Sequence, residues 1–420
     1  MKIVYISDNR NRENWGCRAT SKALADLIST NNEIIYTIFG DLVSNHIPIF
    51  GKKIPSNRFL KLFLKLMSKL SEKINIYLPK ISDYISEDLQ KSQERFEKLS
   101  VKHPLYREMK RNLLECDAIV INGEGDAIFT TPSRRKLLFL LMIMRIAQNA
   151  NKKTFYVNAM FSDCPKSGRN LNILSQAIDV LSQCTLVAAR DLDSFNYLNQ
   201  FEHNIKFQHV PDALFSWTKY ENYICNVLKY PLALPSFPEY DEYWNNFDFS
   251  KPYICVSGSS SAAWTQMEAQ EGYTKLIQAL KTLDYKLFIV PTCSGDRFLY
   301  NVAEQTGIPI VPVNTNIIGG MSILANAAVF VSGRWHPSIL ASLGGTPCVI
   351  FGSNSSKTKS FLNVMDYEQK REYSAIPTED EMPFILNDIC NYVQQGDTLR
   401  SKIKNKAQEL SELTNFYKNI

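Results

Sequence analysis

The stretch Phe330-Val331-Ser332-Gly333-Arg334-Trp335-His336-Pro337-Ser338-Ile339-Leu340-Ala341-Ser342-Leu343-Gly344-Gly345-Thr346-Pro347-Cys348-Val349-Ile350-Phe351 decides the fold. It reads as a buried strand, a turn carrying a cation and an imidazole, a short helix, a Gly-Gly stop and a second buried strand. Two apolar strands joined through a helix form the crossover unit of a parallel sheet. The same alternation recurs on both sides. Before it lie Ile3 to Ile6, Ile34 to Ile38, Ala118 to Ile121, Lys153 to Val157 and Thr185 to Ala189; around it lie Tyr253 to Val256, Lys286 to Val290, Ile308 to Pro312, Ala328 to Val331 and Pro347 to Phe351. Each is a β-branched or apolar run followed by turn residues and a helical pattern.

The alternation therefore occurs twice, which predicts an α/β protein of two Rossmann-like lobes facing a central cleft. Residues 216–250 separate them, rich in Pro and aromatics (Pro231, Pro235, Pro238, Trp217, Tyr240, Tyr243, Trp244) and without period. Proline stiffens a linker and withholds a ladder hydrogen bond. The expected division is 1–215, an N-terminal lobe; 216–250, a linker; 251–398, a C-terminal lobe; and 399–420, a Lys- and Glu-rich surface helix closing the fold. Open parallel sheets bind ligands outside the carboxyl ends of their strands, so two facing lobes put the site between them.

Composition narrows the function. Of 420 residues, 45% are apolar and 21% charged, an ordinary globular balance. The net charge of +5 is too small to mark a dedicated nucleic-acid binder, and none is expected as partner. The nine cysteines are scattered and never form C-x-x-C, and the five histidines show no ligand spacing. Reduced thiols and no metal are expected. The opening run Met1 to Ile6 stops at Ser7-Asp8, too short for a signal-peptide core, and the apolar run Leu137 to Ile146 is too short to span a bilayer. A cytoplasmic protein is expected. From Arg58 to Pro79, Lys61, Lys65, Lys69 and Lys73 recur every four residues opposite Leu62, Phe63, Leu66, Met67, Leu70 and Ile74. Such a helix either lies on the anionic inner face of a membrane or packs on the core with a solvated lysine face.

Three constellations carry chemistry. Arg334 and His336 sit where a strand ends and a helix begins, a place whose free N–H groups and dipole favour anions. Arginine adds a bidentate fork for phosphate or carboxylate. His336 either caps the turn or moves protons near neutral pH; Lys357, just past the next strand, favours a site. Arg190-Asp191 ends an earlier strand, where Arg190 either joins an anion site or pairs locally; Val210-Pro211-Asp212-Ala213 follows. The loops Ser7 to Thr20 and Asn122 to Asp126 are polar, glycine-containing and follow strands, suited to phosphate or sugar hydroxyls. Neither matches G-x-G-x-x-G or G-x-x-x-x-G-K-[ST].

Together these stretches resemble the polysaccharide pyruvyl transferase family: Arg190, Asp191, Ser194 and Leu198; then Pro211, Asp212 and Phe215; then Arg334, His336, Ile339, Ala341, Gly345 and Pro347; and finally Lys357. The order holds over about Lys2 to Asp366. The resemblance implies a GT-B-like two-lobed fold and transfer of the enolpyruvyl unit of phosphoenolpyruvate, without a cofactor, onto two hydroxyls of a surface-glycan sugar or its lipid-linked precursor. It further implies that Arg190, Arg334, Trp335 and Lys357 bind the donor and that His336 is the acid/base. Asn14, Gly16, Arg18, Glu124 and Asp126 would face the acceptor. Here the first loop reads Asn14-Trp15-Gly16-Cys17-Arg18 where the family has G-N-x-G-D-E, and the second Gly123-Glu124-Gly125-Asp126 where it has G-G-G, so the acceptor is left open. A GT-B-like glycosyltransferase using a nucleotide sugar, or a glycan binder without turnover, would share the scaffold.

Overall fold

Two all-parallel sheets carry the molecule in a computed structural model that describes residues 1–40, 42, 59, 62, 63, 66, 85–164, 166–220 and 247–420. The first sheet has strands β1 (Lys2–Asp8), β2 (Glu33–Phe39), β3 (Ala118–Phe129), β4 (Lys153–Asp163), β5 (Leu186–Ala189) and β6 (Phe207–His209), in the order β2-β1-β3-β4-β5-β6. The second has β7 (Tyr253–Ser259), β8 (Lys286–Ile289), β9 (Val329–Gly333), β10 (Cys348–Phe351) and β11 (Glu372–Tyr373), in the order β11-β10-β9-β7-β8. In each, the chain leaves the first strand to one side and returns on the other, β1 between β2 and β3, β7 between β8 and β9. Those reversals open crevices at the strands' carboxyl ends. The expected α/β architecture of two Rossmann-like lobes is what the chain adopts.

The lobes are packed together. One apolar cluster joins Ile3, Trp15 and Trp217 to Tyr253, Met321, Trp335 and Ile339. Its centre is helix α1 (Trp15–Ile28), whose buried residues Ala19, Ala23 and Leu27 recur every fourth position and whose N-cap Asn14 accepts from the Cys17 amide. Trp15 reaches into the second lobe: its amide donates to the Thr292 carbonyl (2.9 Å) and its indole to that of Val313 (2.7 Å).

Several expectations need correction. Ile308 to Pro312 is not a strand; it contributes only the bridge of Ile310 to Ile289, because Pro309 and Pro312 lack the amide a ladder needs. Residues 122–126 are not a turn. β3 runs through them to Phe129, absorbing the change in a register shift between Glu124 and Ala127, with Glu124 at φ 37°. β6 and β11, of three and two residues, were too short to show a period. The segment expected to begin a linker at 216 instead continues a 3₁₀ helix, Ala213–Tyr220, with Trp217 fully buried; residues 221–246 lie outside the described residues. The closing helix is not confined to 399–420. It spans Met382–Leu413, bends at Gly396 (φ 49°, ψ −130°) and passes into a 3₁₀ turn, Thr414–Asn419. Nor is its end a surface element. Arg400 donates to the carbonyls of Ala325, Ala327 and Gly344 in the second lobe, while Tyr417, fully buried, donates to those of Val210 and Pro211 in the first (3.2 Å each).

The lysine-rich helix expected over 58–79 lies mostly outside the described residues, its four lysines included. Phe59, Leu62, Phe63 and Leu66 are described, helical and exposed. Among the described residues no helix is long and apolar enough to cross a membrane.

Candidate active site

Four strand ends converge between the lobes. β5 delivers Arg190, the segment after β6 delivers Asp212, β9 delivers Arg334 with Trp335 and His336, and β10 leads to Lys357. The centre is Asp212, fully buried. Its Oδ1 accepts from Thr20 Oγ1 (2.7 Å) and the Leu214 amide (3.0 Å); its Oδ2 lies 3.0 Å from Trp335 Nε1, 3.2 Å from His336 Nε2 and 3.3 Å from Arg190 Nη1. Burial pushes this carboxyl up, but His336 and Arg190 outweigh it and hold the group below the usual carboxylate range.

Arg190 and His336, 146 positions apart, meet with Nη1 and Nε2 at 3.2 Å. Arg190 is 2% exposed and its guanidinium stacks 5.0 Å from the Trp335 ring centroid. It pairs with Asp212 and not with its neighbour Asp191, which caps the helix Leu192–Leu198 and accepts from Ser360 Oγ of the other lobe (3.0 Å). Arg334 pairs with Asp296, itself fully buried on the loop after β8. Burial pushes Arg334 down, yet Asp296 prevails and raises it. Lys357 Nζ donates to Asn354 Oδ1 (2.8 Å). Desolvation, then Arg334 and Arg190, push its ammonium down to about 7. Arg190 and Arg334 each carry a buried carboxylate partner, Asp212 and Asp296, whereas Lys357 is held by the neutral Asn354 side chain. The buried Nε atoms of Arg190 and Arg334 have no acceptor among the described residues.

The residues expected to face an acceptor divide differently. Asn14 is occupied as the cap of α1. Arg18 reaches the Thr315 carbonyl across the cleft (3.4 Å). Glu124 is a buried hub, its Oε1 accepting from Asn9 (2.6 Å), Asn122 (3.0 Å) and Ser21 (3.1 Å). Asp126, paired with Lys136 (2.7 Å) and beside Ser7, is partly buried, as are Asn14 and Arg18. Gly16 acts sterically, since a Cβ there would stand 2.5 Å from His336 Cβ and 2.6 Å from Nδ1. Gly16→Ala should therefore destabilise by about 1–3 kcal/mol through overpacking where an ordinary helix position would gain from alanine. A urea unfolding midpoint compared with wild type measures it.

Sequence reasoning passed over Trp15, Thr20, Asp296 and Asn354, and gave Asp212 no role. Asp296 follows β8 in Ser294-Gly295-Asp296, the strand-end pattern that singled out the others. At the cleft mouth Lys166 of the first lobe lies 4.0 Å over the half-exposed Trp264 ring of the second.

Comparisons bear on this arrangement. A family model described as polysaccharide pyruvyl transferase matches residues 21–355. No curated protein matches the sequence significantly. Among solved structures, a UDP-GlcNAc 2-epimerase from Neisseria meningitidis bound to UDP-GlcNAc superposes with a TM-score of 0.50 at 10% identity, covering 98% of this chain and 99% of its own. A putative UDP-N-acetylglucosamine 2-epimerase from Listeria monocytogenes gives 0.50 at 10% identity over 100% and 94%. The N-terminal domain of Candida albicans trehalose-6-phosphate phosphatase gives 0.53 at 10% identity over 99% and 97%. These likenesses establish a GT-B-like fold and nothing finer.

Proposed function

Since the chain belongs to the polysaccharide pyruvyl transferase family, an enzyme family with a sugar or glycan acceptor, we propose that its donor is phosphoenolpyruvate and its product a cyclic pyruvate ketal on a surface polysaccharide or lipid-linked precursor. The observation that carries this reading is the meeting of Arg190 with His336 at 3.2 Å across the lobes, with Arg334 and Lys357 at the neighbouring strand ends and two buried guanidinium Nε donors free for acceptors among the described residues. A small molecule bearing both phosphate and carboxylate suits such a set. In the proposed reaction the donor's methylene carbon takes a proton from protonated His336, the neighbouring carbon becomes cationic, a sugar hydroxyl adds there and returns its proton to His336, and a second hydroxyl displaces phosphate, its proton leaving on the phosphate. Fixed cations compensate the leaving charge, and one imidazole serves as acid and base.

The acceptor face then falls to Asp126 and the rim around it, with Gly16 beneath His336 and the buried Glu124 network holding that rim in place; Asn14 serves by capping α1 and Arg18 by bridging to the second lobe. The lysine-spaced sequence of residues 58–79 would hold the enzyme at the inner membrane face, where a lipid-linked acceptor resides. Incubation with phosphoenolpyruvate and a panel of glycosides should release inorganic phosphate and add a ketal. Turnover of UDP-, GDP- or CMP-sugars with no such release would replace this reading with glycosyl transfer.

One titration belongs to the donor site. An anion beside Lys357 favours its charged form, so above pH 7 donor binding should take up close to one proton, about 0.5–1. Affinity then weakens as pH rises from 7 to 9. Calorimetry in buffers of different ionisation enthalpy reads the uptake, and Lys357→Met should abolish it.

A further inference from the structure

His336 has two ring nitrogens with unlike surroundings. Nε2 faces Asp212 Oδ2 at 3.2 Å and Arg190 Nη1 at 3.2 Å, whereas Nδ1 runs along Gly16, whose missing side chain would stand 2.6 Å away. Arginine only donates, and its Nη1 already has the same Oδ2 at 3.3 Å. Asp212 is ionised and fully buried, and Oδ2 gathers the Trp335, His336 and Arg190 nitrogens on one oxygen. A proton on Nε2 completes that set, while a proton on Nδ1 would leave Nε2 to Arg190 and lose the carboxylate. The carboxylate is in turn fixed by Thr20 Oγ1, the Leu214 amide and the Pro211 peptide that Tyr417 clamps.

We propose that Asp212 is the positioning residue of this site: it holds neutral His336 as the Nε2–H tautomer, making Nδ1 the nitrogen that gives and takes the proton. The role of that proton rests on the function proposed above; the tautomer does not. In the acid step the imidazolium form gives its Nδ1 proton to the donor's methylene carbon, and the neutral imidazole left behind keeps Nε2–H on Asp212. In the base step Nδ1 takes the proton of the attacking hydroxyl. The charged and titratable groups that bear on the pair are Arg190 at the end of β5, which touches both, and Tyr417 from the 3₁₀ turn, which faces Asp212 and Arg190.

The test is ¹⁵N-histidine NMR of the whole protein without substrate, in wild type and Asp212→Asn. Wild type should show neutral His336 protonated at Nε2. The Asp212→Asn variant should shift the neutral form toward Nδ1–H and lower the titration midpoint by about 1–3 pH units, and the kcat–pH inflection should move by the same amount. Nδ1–H in wild type, or an unchanged tautomer and midpoint in a folded variant that has merely lost kcat, overturns the proposal. Should Asp212→Asn not fold, Trp335→Phe removes one donor from Oδ2 and should raise the midpoint; no movement there also overturns it. A tautomer as expected with no phosphoenolpyruvate turnover refutes the proposed reaction alone.

Discussion

His336→Gln should lower kcat by about 10²–10⁴-fold, the usual worth of a positioned acid/base, while donor affinity stays within a few fold. Glutamine preserves a donor that can reach Asp212 and roughly the side-chain reach, so Arg190, 2% exposed, is not left against an altered cavity. The affinity should survive because Arg190, Arg334 and Lys357 supply the charge that holds the anion. Turnover should fall because a glutamine amide neither gives nor takes a proton, and the two guanidiniums stay charged. Phosphate release under saturating phosphoenolpyruvate, beside a thermal-shift titration with the same ligand, measures both. A variant retaining more than a tenth of wild-type turnover would remove His336 from the chemistry.

The second large effect is on folding. Asp296→Ala should cost about 3–5 kcal/mol of unfolding free energy, because it leaves the Arg334 cation buried without its counter-ion. It also frees the loop after β8: Asp296 Oδ2 accepts from the Thr292 amide (3.0 Å) and hydroxyl (3.3 Å), and the Thr292 carbonyl receives the Trp15 amide from the other lobe. Urea denaturation followed by tryptophan fluorescence measures the loss. Addition of phosphoenolpyruvate should restore part of it, since the ligand's carboxylate or phosphate offers Arg334 a replacement anion. Stabilisation by donor should thus be larger, in melting temperature, for Asp296→Ala than for wild type.

Both effects follow from residues whose legibility in the sequence was unequal. Strand ends were readable: Arg190, Arg334, His336 and Lys357 each stand just past an apolar run, and the two sheets bring Arg190 and His336 to 3.2 Å at their carboxyl ends. What periodicity could not carry was pairing at a distance. Asp212 is 124 positions from His336 and its meaning lies in five donors, which no local pattern encodes. Glu124 shows the converse. A carboxylate in a glycine-flanked polar stretch looks available, but a register shift in β3 turns it inward to three donors. Short elements failed for another reason: two or three residues, as in β6 and β11, hold no period, and their pairing is decided by neighbours already in the sheet.

The bent helix from Met382 gives the molecule an unusual mechanical linkage. Anchored through Arg400 beneath the second sheet and through Tyr417 on the peptide next to Asp212, it behaves as a strut whose far tip braces the carboxylate from behind. A rotation that spread the halves would pull on that strut and would act on the peptide beside Asp212.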